Sequence, residues 1–515
     1  MNQSLTNPVE VSLISVSGIS KKLNLIEQLL DTFHEREIIY CHWKSNEHLG
    51  ASMSGDTDLD ILFDEKDIRS LEQELKHLGF KKFNSITQKQ YRDIEDYIGL
   101  DFTSGKVIHL HAHFRLTLGE PYLKSYQLNF QNKILSCRVY NHQFGIYCIQ
   151  PAFELILLYF REALKLRNRN IIRMYLFNKI DCSPNSVREY NWLKVRCSEL
   201  EIEQILQSIV VPYGEIYYLV KGKFDLKTLL KLSWLLKDKF KEQRFLSPIA
   251  ALTSRWYREI SVKLYRKSAL LWARPIITRR INPRGGLVIS VIGADGSGKS
   301  TIISNLNSTF KTKLDVYKVY MGRGNGNMSK ARKILISLKK VFNQKDASNK
   351  VTHHHKSKQH TGLVANVYKC LEALIVAYEK NKNLCRIRIA KRKGMLVICD
   401  RFPQNQIMGY NDGPLLNYLS HSGNPIFRAA SKLEAIIYAR AESNPPDLLI
   451  KLIADANIVE ARKPNELSIC RLNEKIDGIK RLKMHGRCKV IVVDAAQPLK
   501  EVAYSVKKEI WNNIP

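Results

Sequence analysis

The sequence has few features of a secreted or membrane-spanning protein. Its ten cysteines are scattered and no two have CxxC spacing, which excludes zinc ribbons of the usual spacing and thioredoxin-like motifs. Thiols distributed in this way are typical of a reduced, cytosolic protein. No stretch approaches about 18 uninterrupted apolar residues, and no positive charge precedes the first apolar residues. We therefore expect a cytoplasmic protein with neither a secretory signal nor a spanning helix.

Acidic residues are also scarce for a chain of 515 residues. There are 49 Asp and Glu against 81 Lys and Arg, which gives a formal net charge of +32. The excess is uneven: residues 1–150 carry 16 basic and 19 acidic side chains, residues 151–285 carry 26 and 12, and residues 311–393 carry 21 and 4. A charge of this size indicates an anionic partner, such as nucleic acid, nucleotide phosphates or a membrane surface.

Hydrophobic patterning divides the chain into three predicted domains of an α/β protein. Residues 24–150 alternate strand and helix signals, which predicts a small α+β domain. Residues 151–285 begin with a proline suited to a first helical turn and continue with an apolar stripe, which predicts a basic helical connector. A Pro-Gly break then precedes residues 286–515, where buried strands and helices predict a parallel sheet with a basic insertion at residues 324–393.

The most specific motif begins the third domain. Residues 293–301 match the pattern GxxxxGK[ST] and lie between a β-branched strand and a helical pattern. Glycines in such a loop let backbone N–H groups surround phosphate oxygens, and the helix N-terminus adds its dipole. We expect Lys299 to reach the β- and γ-phosphates of ATP and the Ser300 hydroxyl to ligate Mg²⁺. The predicted nucleotide-binding residues are Gly293, Ala294, Asp295, Gly296, Ser297, Gly298, Lys299, Ser300 and Thr301.

Three later features indicate which reaction could accompany nucleotide binding by this loop. Arg323 follows a strand in the sequence Met-Gly-Arg-Gly, where it either faces a ligand crevice or is an ordinary surface arginine. Asp400 and Arg401 follow a buried strand, where they either hold Mg²⁺ and a phosphoryl group or form a strand-end ion pair. Arg462 and Lys463 lie on a helix after the next strand, either as residues of a lid over the phosphates or as solvated helix charges.

These segments together resemble the thymidylate kinase family of P-loop kinases. The resemblance covers residues 286–515 and rests on GADGSGKST, MGRG, VICDRFP, PDLLIKL, EARK and a closing VIVVDA strand. It is closest to the thymidylate kinase-like domains of bacterial proteins linked to surface polysaccharide synthesis. It implies a kinase that uses ATP and Mg²⁺ as cofactors.

The resemblance also assigns roles to individual residues. It implies that Asp295 contacts a sugar hydroxyl of the acceptor and that Arg323 holds the acceptor phosphate. Asp400 then serves the metal, and Arg401 serves the transferring phosphoryl group. The predicted substrate-binding residues are Asp295, Arg323 and Arg401.

The resemblance also bears on which residue stabilises the charge of the transferring phosphoryl group. Gly296 stands where some family members carry arginine, and members with glycine use basic lid residues instead. Arg462, followed by Lys463 and Arg471, is therefore the candidate charge stabiliser. The predicted catalytic residues are Lys299, Asp400, Arg401 and Arg462.

The acceptor stays open at the level of sequence. A long basic insertion, including residues 343–359, stands where thymidylate kinases have a base-binding helix, and the usual thymine-contacting residues are not identifiable in it. Kinase chemistry is therefore better supported than thymidylate as the acceptor. A nucleotide, a phosphorylated sugar or a lipid-linked acceptor fits equally well.

A second constellation lies in the first domain. The segment Trp-Lys-Ser-Asn precedes Gly-Asp-Thr-Asp-Leu-Asp-Ile-Leu, in which Asp58 and Asp60 project from one face of a strand as a predicted divalent-metal pair. These residues resemble the nucleotidyltransferase superfamily, which adds a third carboxylate. Asp101 is the candidate for it. Alternating histidines, His109, His111 and His113, suggest a metal site or a merely polar sheet face. The domain either transfers a nucleotidyl group or binds a nucleotide or sugar without transferring anything.

The remaining partner predictions come from two basic segments. Residues 244–283 interleave arginine and lysine with tryptophan and tyrosine, which suits an anionic membrane surface, nucleic acid or a solvated interdomain helix. The histidines 353–355 and His360 lie in a polar stretch that is more typical of low complexity than of a metal site. The rivals of the kinase interpretation are a nucleic-acid-associated ATPase or defence protein and a non-catalytic scaffold at the inner membrane face. A homodimer is a further prediction.

Overall fold

The computed structural model describes residues 22–167, 170, 182–324, 329, 331–337, 360–407, 412–464, 468–484 and 486–515. Its contacts form two compact units. The first unit comprises Met1–Leu78, His109–Gly119 and Tyr126–Arg244, and the second comprises Gly79–Ile108, Glu120–Ser125 and Phe245–Pro515. The predicted mixed α/β architecture with a parallel sheet is confirmed. The division into three domains stays a prediction.

The strands number from β1 to β15 along the described ranges. They are β1 Tyr40–His42, β2 Leu59–Phe63, β3 Lys81–Ser85, β4 Ile94–Leu100, β5 Val107–His113, β6 Leu116–Leu118, β7 Tyr126–Leu128, β8 Val139–Asn141, β9 Ile146–Cys148, β10 Arg280–Ile281, β11 Leu287–Gly293, β12 Val316–Tyr320, β13 Leu396–Asp400, β14 Leu448–Ile453 and β15 Lys489–Asp494.

Among the described residues, the α-helices of the first unit include Asn24–Glu35, Leu49–Met53, Ile68–His77, Gln131–Ser136, Pro151–Lys165, Pro184–Lys194, Glu199–Ile209, Gly214–Lys221 and Leu226–Lys239. Those of the second unit include Pro248–Leu271, Lys299–Lys311, His360–Arg392, Pro425–Glu442, Ala456–Arg462, Ile469–Arg481 and Leu499–Asn513. Within the described ranges, no helix is both long enough and apolar enough to cross a membrane.

A sheet and a group of helices form the first unit. β1 pairs antiparallel with β2 and parallel with β9, and β2 pairs parallel with the His109–His113 part of β5. The helix Pro151–Lys165 has proline in its first turn and is buried almost throughout, since helices pack on several of its sides. Its burial explains why its apolar stripe is broad rather than one-sided.

The sheet of the second unit positions the predicted nucleotide site. Five parallel strands stand in the order β12-β13-β11-β14-β15. The strand β11 is central. After β11 the chain forms β12 and β13 on one side of it and then crosses to form β14 and β15 on the other side. The carboxyl ends of β11 and β13 therefore border a switch point, where α/β sheets bind ligands.

Helices cover both faces of the strands β11, β13 and β14, which is why these three strands are apolar at nearly every position. Val288 and Val397 point to the face that packs against the helix His360–Arg392. Ile289 and Val291 point to the other face, against the helices Lys299–Lys311 and Leu499–Asn513. Two-sided burial fixes the register of β11 against β13, and this register places Val291 beside Asp400.

Candidate functional site

The GxxxxGK[ST] loop has the backbone conformation that its glycines allow. β11 ends at Gly293 and the next helix begins at Lys299. Gly296 and Gly298 have φ angles of +93° and +85°, in the left-handed region that glycine adopts at little cost. A side chain at Gly293 would meet the Ser297 hydroxyl and the backbone of Leu452. The loop is therefore tight, and its helix N-terminus opens into a cleft.

Lys299 lies inside this loop with its charge largely removed from water. Its side chain is 7% exposed. Its Nζ donates to the Ala294 carbonyl oxygen at 2.6 Å and lies 3.4 Å from Asp295 Oδ1. Burial, followed by the nearby Arg401, lowers the pKa of Lys299 to about 8, against the opposing effect of Asp295. An anion in the cleft would satisfy this ammonium better than one carbonyl does.

Asp295 is the centre of a cluster of cations. Its carboxylate forms an ion pair with Arg401, accepts a hydrogen bond from Lys475 Nζ at 2.7 Å and lies near Lys299. Burial alone would raise the pKa of Asp295, but Arg401, Lys475 and Lys299 outweigh it and hold the pKa well below its usual range. Lys475 was missed from the sequence, because nothing in the pattern of the helix Ile469–Arg481 distinguishes it.

Asp400 and Arg401 occupy the end of β13 next to the loop. Burial raises the pKa of Asp400, although Arg401 and Lys299 oppose the shift. Arg401 has a φ angle of +68°, which is uncommon for a residue other than glycine and is often found at functional sites. Its backbone N–H donates to the Val291 carbonyl oxygen at 3.0 Å, and its guanidinium reaches Asp295 and, at 3.4 Å, Asp412.

A cleft of about 690 Å³ joins these groups. Arg462 and Lys463 border it from the helix Ala456–Arg462 and the residue after it. Arg462 Nη1 donates to the Ala495 carbonyl oxygen at 2.8 Å. The lining residues are Asp295, Gly296, Ser297, Gly298, Lys299, Ser300, Thr301, Ile302, Tyr320, Asp400, Arg401, Arg462, Lys463, Ala495, Gln497, Leu499 and Val502.

Arg323 is not among the residues that line this cleft. Its Nη2 donates to the Gly413 carbonyl oxygen at 3.1 Å, so it reaches the residue next to Asp412, the partner of Arg401. The buried Lys380 donates to the carbonyl oxygen of Asp412 at 3.1 Å. Burial lowers the pKa of Lys380 to about 8. Arg323, Lys380 and Arg401 are thus connected through residues 412 and 413, and sequence reasoning did not identify Lys380.

The first unit brings its predicted aspartates to the alternating histidines. Asp58 Oδ2 lies 2.9 Å from His109 Nδ1. Asp60 Oδ1 lies 2.8 Å from His111 Nδ1 and 3.7 Å from His113 Nε2. Both aspartates therefore face the histidine side of β5, because Asp60 is in register with His111 across the two strands. Whether they bind metal stays a prediction.

Lys44 is a further member of this cluster. Its Nζ lies 2.9 Å from Asp60 Oδ1. Burial alone would raise the pKa of Asp60, but Lys44 and the hydrogen bonds from His111 and His113 hold that pKa well below its usual range. Burial lowers the pKa of His111, against the effect of Asp60. The site therefore favours an ionised aspartate beside an uncharged histidine.

The buried Glu154 supports the Trp-Lys-Ser-Asn segment that precedes the two aspartates in the sequence. Asn46 donates its backbone N–H and its side-chain amide to the two oxygens of Glu154, at 3.0 and 2.7 Å, and its own oxygen lies 2.7 Å from His42 Nδ1. Burial raises the pKa of Glu154 to about 7, although the hydrogen bonds from Asn46 oppose the shift.

Asp101, the candidate third carboxylate, lies in the turn after β4, where it accepts a hydrogen bond from the Ser104 N–H at 2.7 Å.

Comparison with known proteins gives relatives for less than half of the chain. The chain is 29% identical over 223 residues to the uncharacterized ATP-binding protein YghS of Escherichia coli strain K12, covering 43% of this chain and 91% of the relative. It is 26% identical over 225 residues to the uncharacterized ATP-binding protein YghR of strains K12 and CFT073, covering 43% of this chain and 86% of the relative. No protein-family model matches the chain.

Proposed function

We propose that this protein is an ATP- and Mg²⁺-dependent phosphotransferase whose second unit contains a thymidylate kinase-like site. The relatives with 29% and 26% identity are named as ATP-binding proteins, which supports ATP as the nucleotide. The observation that carries the proposal is the placement of Lys299, which follows β11, and Asp400, which ends the adjacent β13, because both line one cleft with the glycine loop. This combination suits phosphoryl transfer better than nucleotide binding alone.

The residues of the loop suit the triphosphate. Backbone N–H groups at the start of the helix Lys299–Lys311 and the helix dipole favour phosphate oxygens. The buried ammonium of Lys299 gains a phosphate partner in place of the Ala294 carbonyl oxygen. Because this charge is already desolvated, its interaction with phosphate is stronger than it would be in open water.

Mg²⁺ fits the oxygen donors at the same end of the cleft. Ser300 provides a hydroxyl and Asp400 a carboxylate, and both line the cleft. Oxygen ligands of this kind are the ones that Mg²⁺ prefers, and Mg²⁺ sites commonly combine one or two protein groups with phosphate oxygens. When bound, the ion neutralises charge on the β- and γ-phosphates.

The reaction is an in-line displacement at the γ-phosphorus. An acceptor oxygen forms the new P–O bond while the bond to the β–γ bridging oxygen breaks, and ADP leaves with that electron pair. An acceptor hydroxyl releases its proton to water as the new bond forms, whereas a phosphate acceptor attacks in its ionised form and has no proton to lose. Arg401 and Arg462 lie in the cleft as donors to the oxygens on which charge collects.

Two residues are proposed to bind the acceptor. Arg323, joined to the cleft through residues 412 and 413, is proposed to hold an acceptor phosphate, and Asp295 to contact an acceptor hydroxyl. The acceptor is a nucleotide or another phosphorylated or hydroxyl compound, in keeping with a role in surface polysaccharide synthesis. The first unit, with Asp58 and Asp60 as ligands of a divalent cation, is proposed to bind a nucleotide in a nucleotidyltransferase-like manner.

An acceptor screen with γ-labelled ATP tests the proposal. Candidate acceptors are nucleoside monophosphates, sugar phosphates and lipid-linked phosphates, each assayed with Mg²⁺ and with EDTA. We expect label to move to one class in the Mg²⁺ reactions, and Arg323→Ala to raise the KM for a phosphorylated acceptor at least tenfold with little change in the KM for ATP. ATP hydrolysis that is stimulated by nucleic acid and labels no acceptor would instead support the nucleic-acid-associated ATPase.

A further inference from the structure

The aspartate–histidine cluster of the first unit has the spacing of a metal-binding site with nitrogen ligands. Three atoms converge: Asp60 Oδ1, His111 Nδ1 and His113 Nε2. Their separations are 2.8 Å from Asp60 to His111, 3.4 Å between the histidines and 3.7 Å from Asp60 to His113. An ion about 2.0–2.2 Å from each donor requires donors roughly 3.0–3.5 Å apart, so small shifts suffice.

We propose that Asp60, His111 and His113 bind a transition-metal ion such as Zn²⁺ in preference to Mg²⁺. Two imidazoles and one carboxylate suit zinc and its neighbours, whereas Mg²⁺ favours a shell of oxygens. Adding Asp58, which lies against His109, would give two carboxylates beside two imidazoles and still not the all-oxygen shell that Mg²⁺ favours. The inference deepens the proposed cation-binding role of the first unit and rests on it.

Lys44 gives this site an internal competitor. Its ammonium lies 2.9 Å from the same Asp60 oxygen that faces the histidines, while its side chain is 21% exposed. A cation entering between Asp60 and the histidines repels this ammonium, and the partial exposure of Lys44 gives it a route to solvent. Metal binding therefore exchanges one positive partner of Asp60 for another.

Zinc binding to the full chain tests the proposal. To remove a competing tract, all variants carry serine at residues 353–355, which lie outside the described ranges. We expect His111→Ala and Asp60→Asn each to weaken Zn²⁺ binding at least a hundredfold, and Lys44→Met to tighten it about tenfold. Titration calorimetry gives the affinities, and Co²⁺ absorption reports nitrogen ligation.

The control variant changes a histidine outside the proposed site, and only metal binding is measured. His142, an exposed histidine of the same unit, is replaced by alanine in the control and should leave Zn²⁺ affinity unchanged. Zn²⁺ affinity equal in wild type and Asp60→Asn would overturn the proposal, as would tighter binding of Mg²⁺ than of Zn²⁺. No turnover is measured, so failure here is separable from failure of phosphoryl transfer in the second unit.

An independent feature of the second unit is an exposed apolar stripe on the helix Pro248–Leu271. Six side chains spaced three, four or seven residues apart are each between 48% and 77% exposed. The spacing places them on one side of a helix about 36 Å long. The residues of this exposed stripe are Ile249, Leu252, Trp256, Ile260, Leu264 and Leu271.

The opposite side of this helix is the one that packs within the unit. Ala251, Val262 and Ala269 are buried. Arg258 donates to the Tyr122 carbonyl oxygen at 3.1 Å, and Tyr265 receives a hydrogen bond from Lys393 at 3.0 Å. The helix is thus held with its apolar stripe outward, and the stripe is not a packing face within the described part of the chain.

We propose that the exposed stripe lies on an anionic phospholipid surface. Between residues 248 and 274 there are six basic side chains and one acidic one, and Lys263 and Lys267 are exposed beside the stripe. Basic side chains next to outward tryptophan and leucine are typical of helices that rest in the lipid headgroup region. A second copy of the chain is a poorer occupant, because a symmetric contact would bring these lysines together.

Vesicle co-sedimentation tests the lipid surface. Phosphatidylcholine vesicles with and without about one third phosphatidylglycerol are compared at low and high salt. We expect wild type to bind the anionic vesicles and to lose most binding in high salt. Trp256→Ala with Leu264→Ala should weaken binding at least tenfold, and Lys263→Glu with Lys267→Glu about thirtyfold or more.

Trp234 provides the matched control for the stripe. It is 72% exposed on a helix of the first unit, so Trp234→Ala removes an equally exposed indole outside the stripe. Binding by that variant should equal wild type. Equal sedimentation of the stripe variants and wild type would overturn the proposal, and so would a loss of self-association in those variants without any effect on vesicles.

Discussion

Replacing Lys299 with alanine is expected to lower ATP turnover by about a thousandfold or more. The ammonium lies inside the glycine loop, bonded to the Ala294 carbonyl oxygen and shielded from water. Its loss removes the one lysine charge of the motif at the place where the β- and γ-phosphates are proposed to lie. Release of labelled phosphate or transfer to acceptor measures turnover, and calorimetry measures ATP binding separately.

Lys311→Ala is the matched control for this variant. Lys311 is exposed in the last turn of the same helix that Lys299 begins, so both changes remove one lysine from one helix. We expect Lys311→Ala to keep wild-type turnover. The Lys299 variant should also stay folded, because burial disfavours the charged form of Lys299 and its removal relieves that cost. Undiminished turnover in a folded Lys299→Ala protein would refute the phosphotransferase assignment.

Asp400→Asn is expected to reduce phosphoryl transfer about a hundredfold or more and to raise the Mg²⁺ concentration needed for half-maximal activity. Asparagine keeps the shape of the side chain but removes the negative charge proposed to hold the ion. ATP binding in EDTA should change much less, since the loop and Lys299 remain. Initial rates over a series of Mg²⁺ concentrations, paired with binding in EDTA, separate the two effects.

Asp494→Asn gives the comparison for Asp400. Asp494 ends β15 at the edge of the same parallel sheet, but it is exposed and does not line the cleft. A carboxylate at the end of a parallel strand is thus tested with and without access to the site. We expect wild-type rates from the Asp494 variant. A wild-type Mg²⁺ response in Asp400→Asn would show that the ion is held elsewhere.

Local patterns were sufficient to predict two strands of the parallel sheet in the second unit and the loop that follows the first of them. The strand predicted before the GxxxxGK[ST] loop is Leu287–Gly293, and the strand predicted before Asp400 and Arg401 is Leu396–Asp400, with Asp400 as its last residue. Both are short β-branched runs followed by glycine or charge, and two-sided burial leaves little alternative to a parallel strand. The loop between strand and helix follows from its glycines.

Partners across long sequence separations could not be predicted in the same way. Lys475 and Asp295 are 180 residues apart, and Lys380 and Asp412 are joined through a backbone carbonyl that no side-chain pattern marks. Alternation correctly put the histidines of β5 on one face, because strand geometry is local. That Lys44 would reach Asp60 depends on how β1 and β2 are connected, which the spacing of residues does not specify.

The carboxylate of Asp295 occupies the guanidinium of Arg401, which is proposed to bind the transferring phosphoryl group. It pairs with Arg401, which lines the cleft, and with Lys475, so these long side chains have already lost much of their freedom. When a nucleotide binds, these side chains are therefore already ordered, and little of their conformational entropy remains to be lost. After the proposed transfer, the same carboxylate would compete with the product for these cations and so weaken product binding.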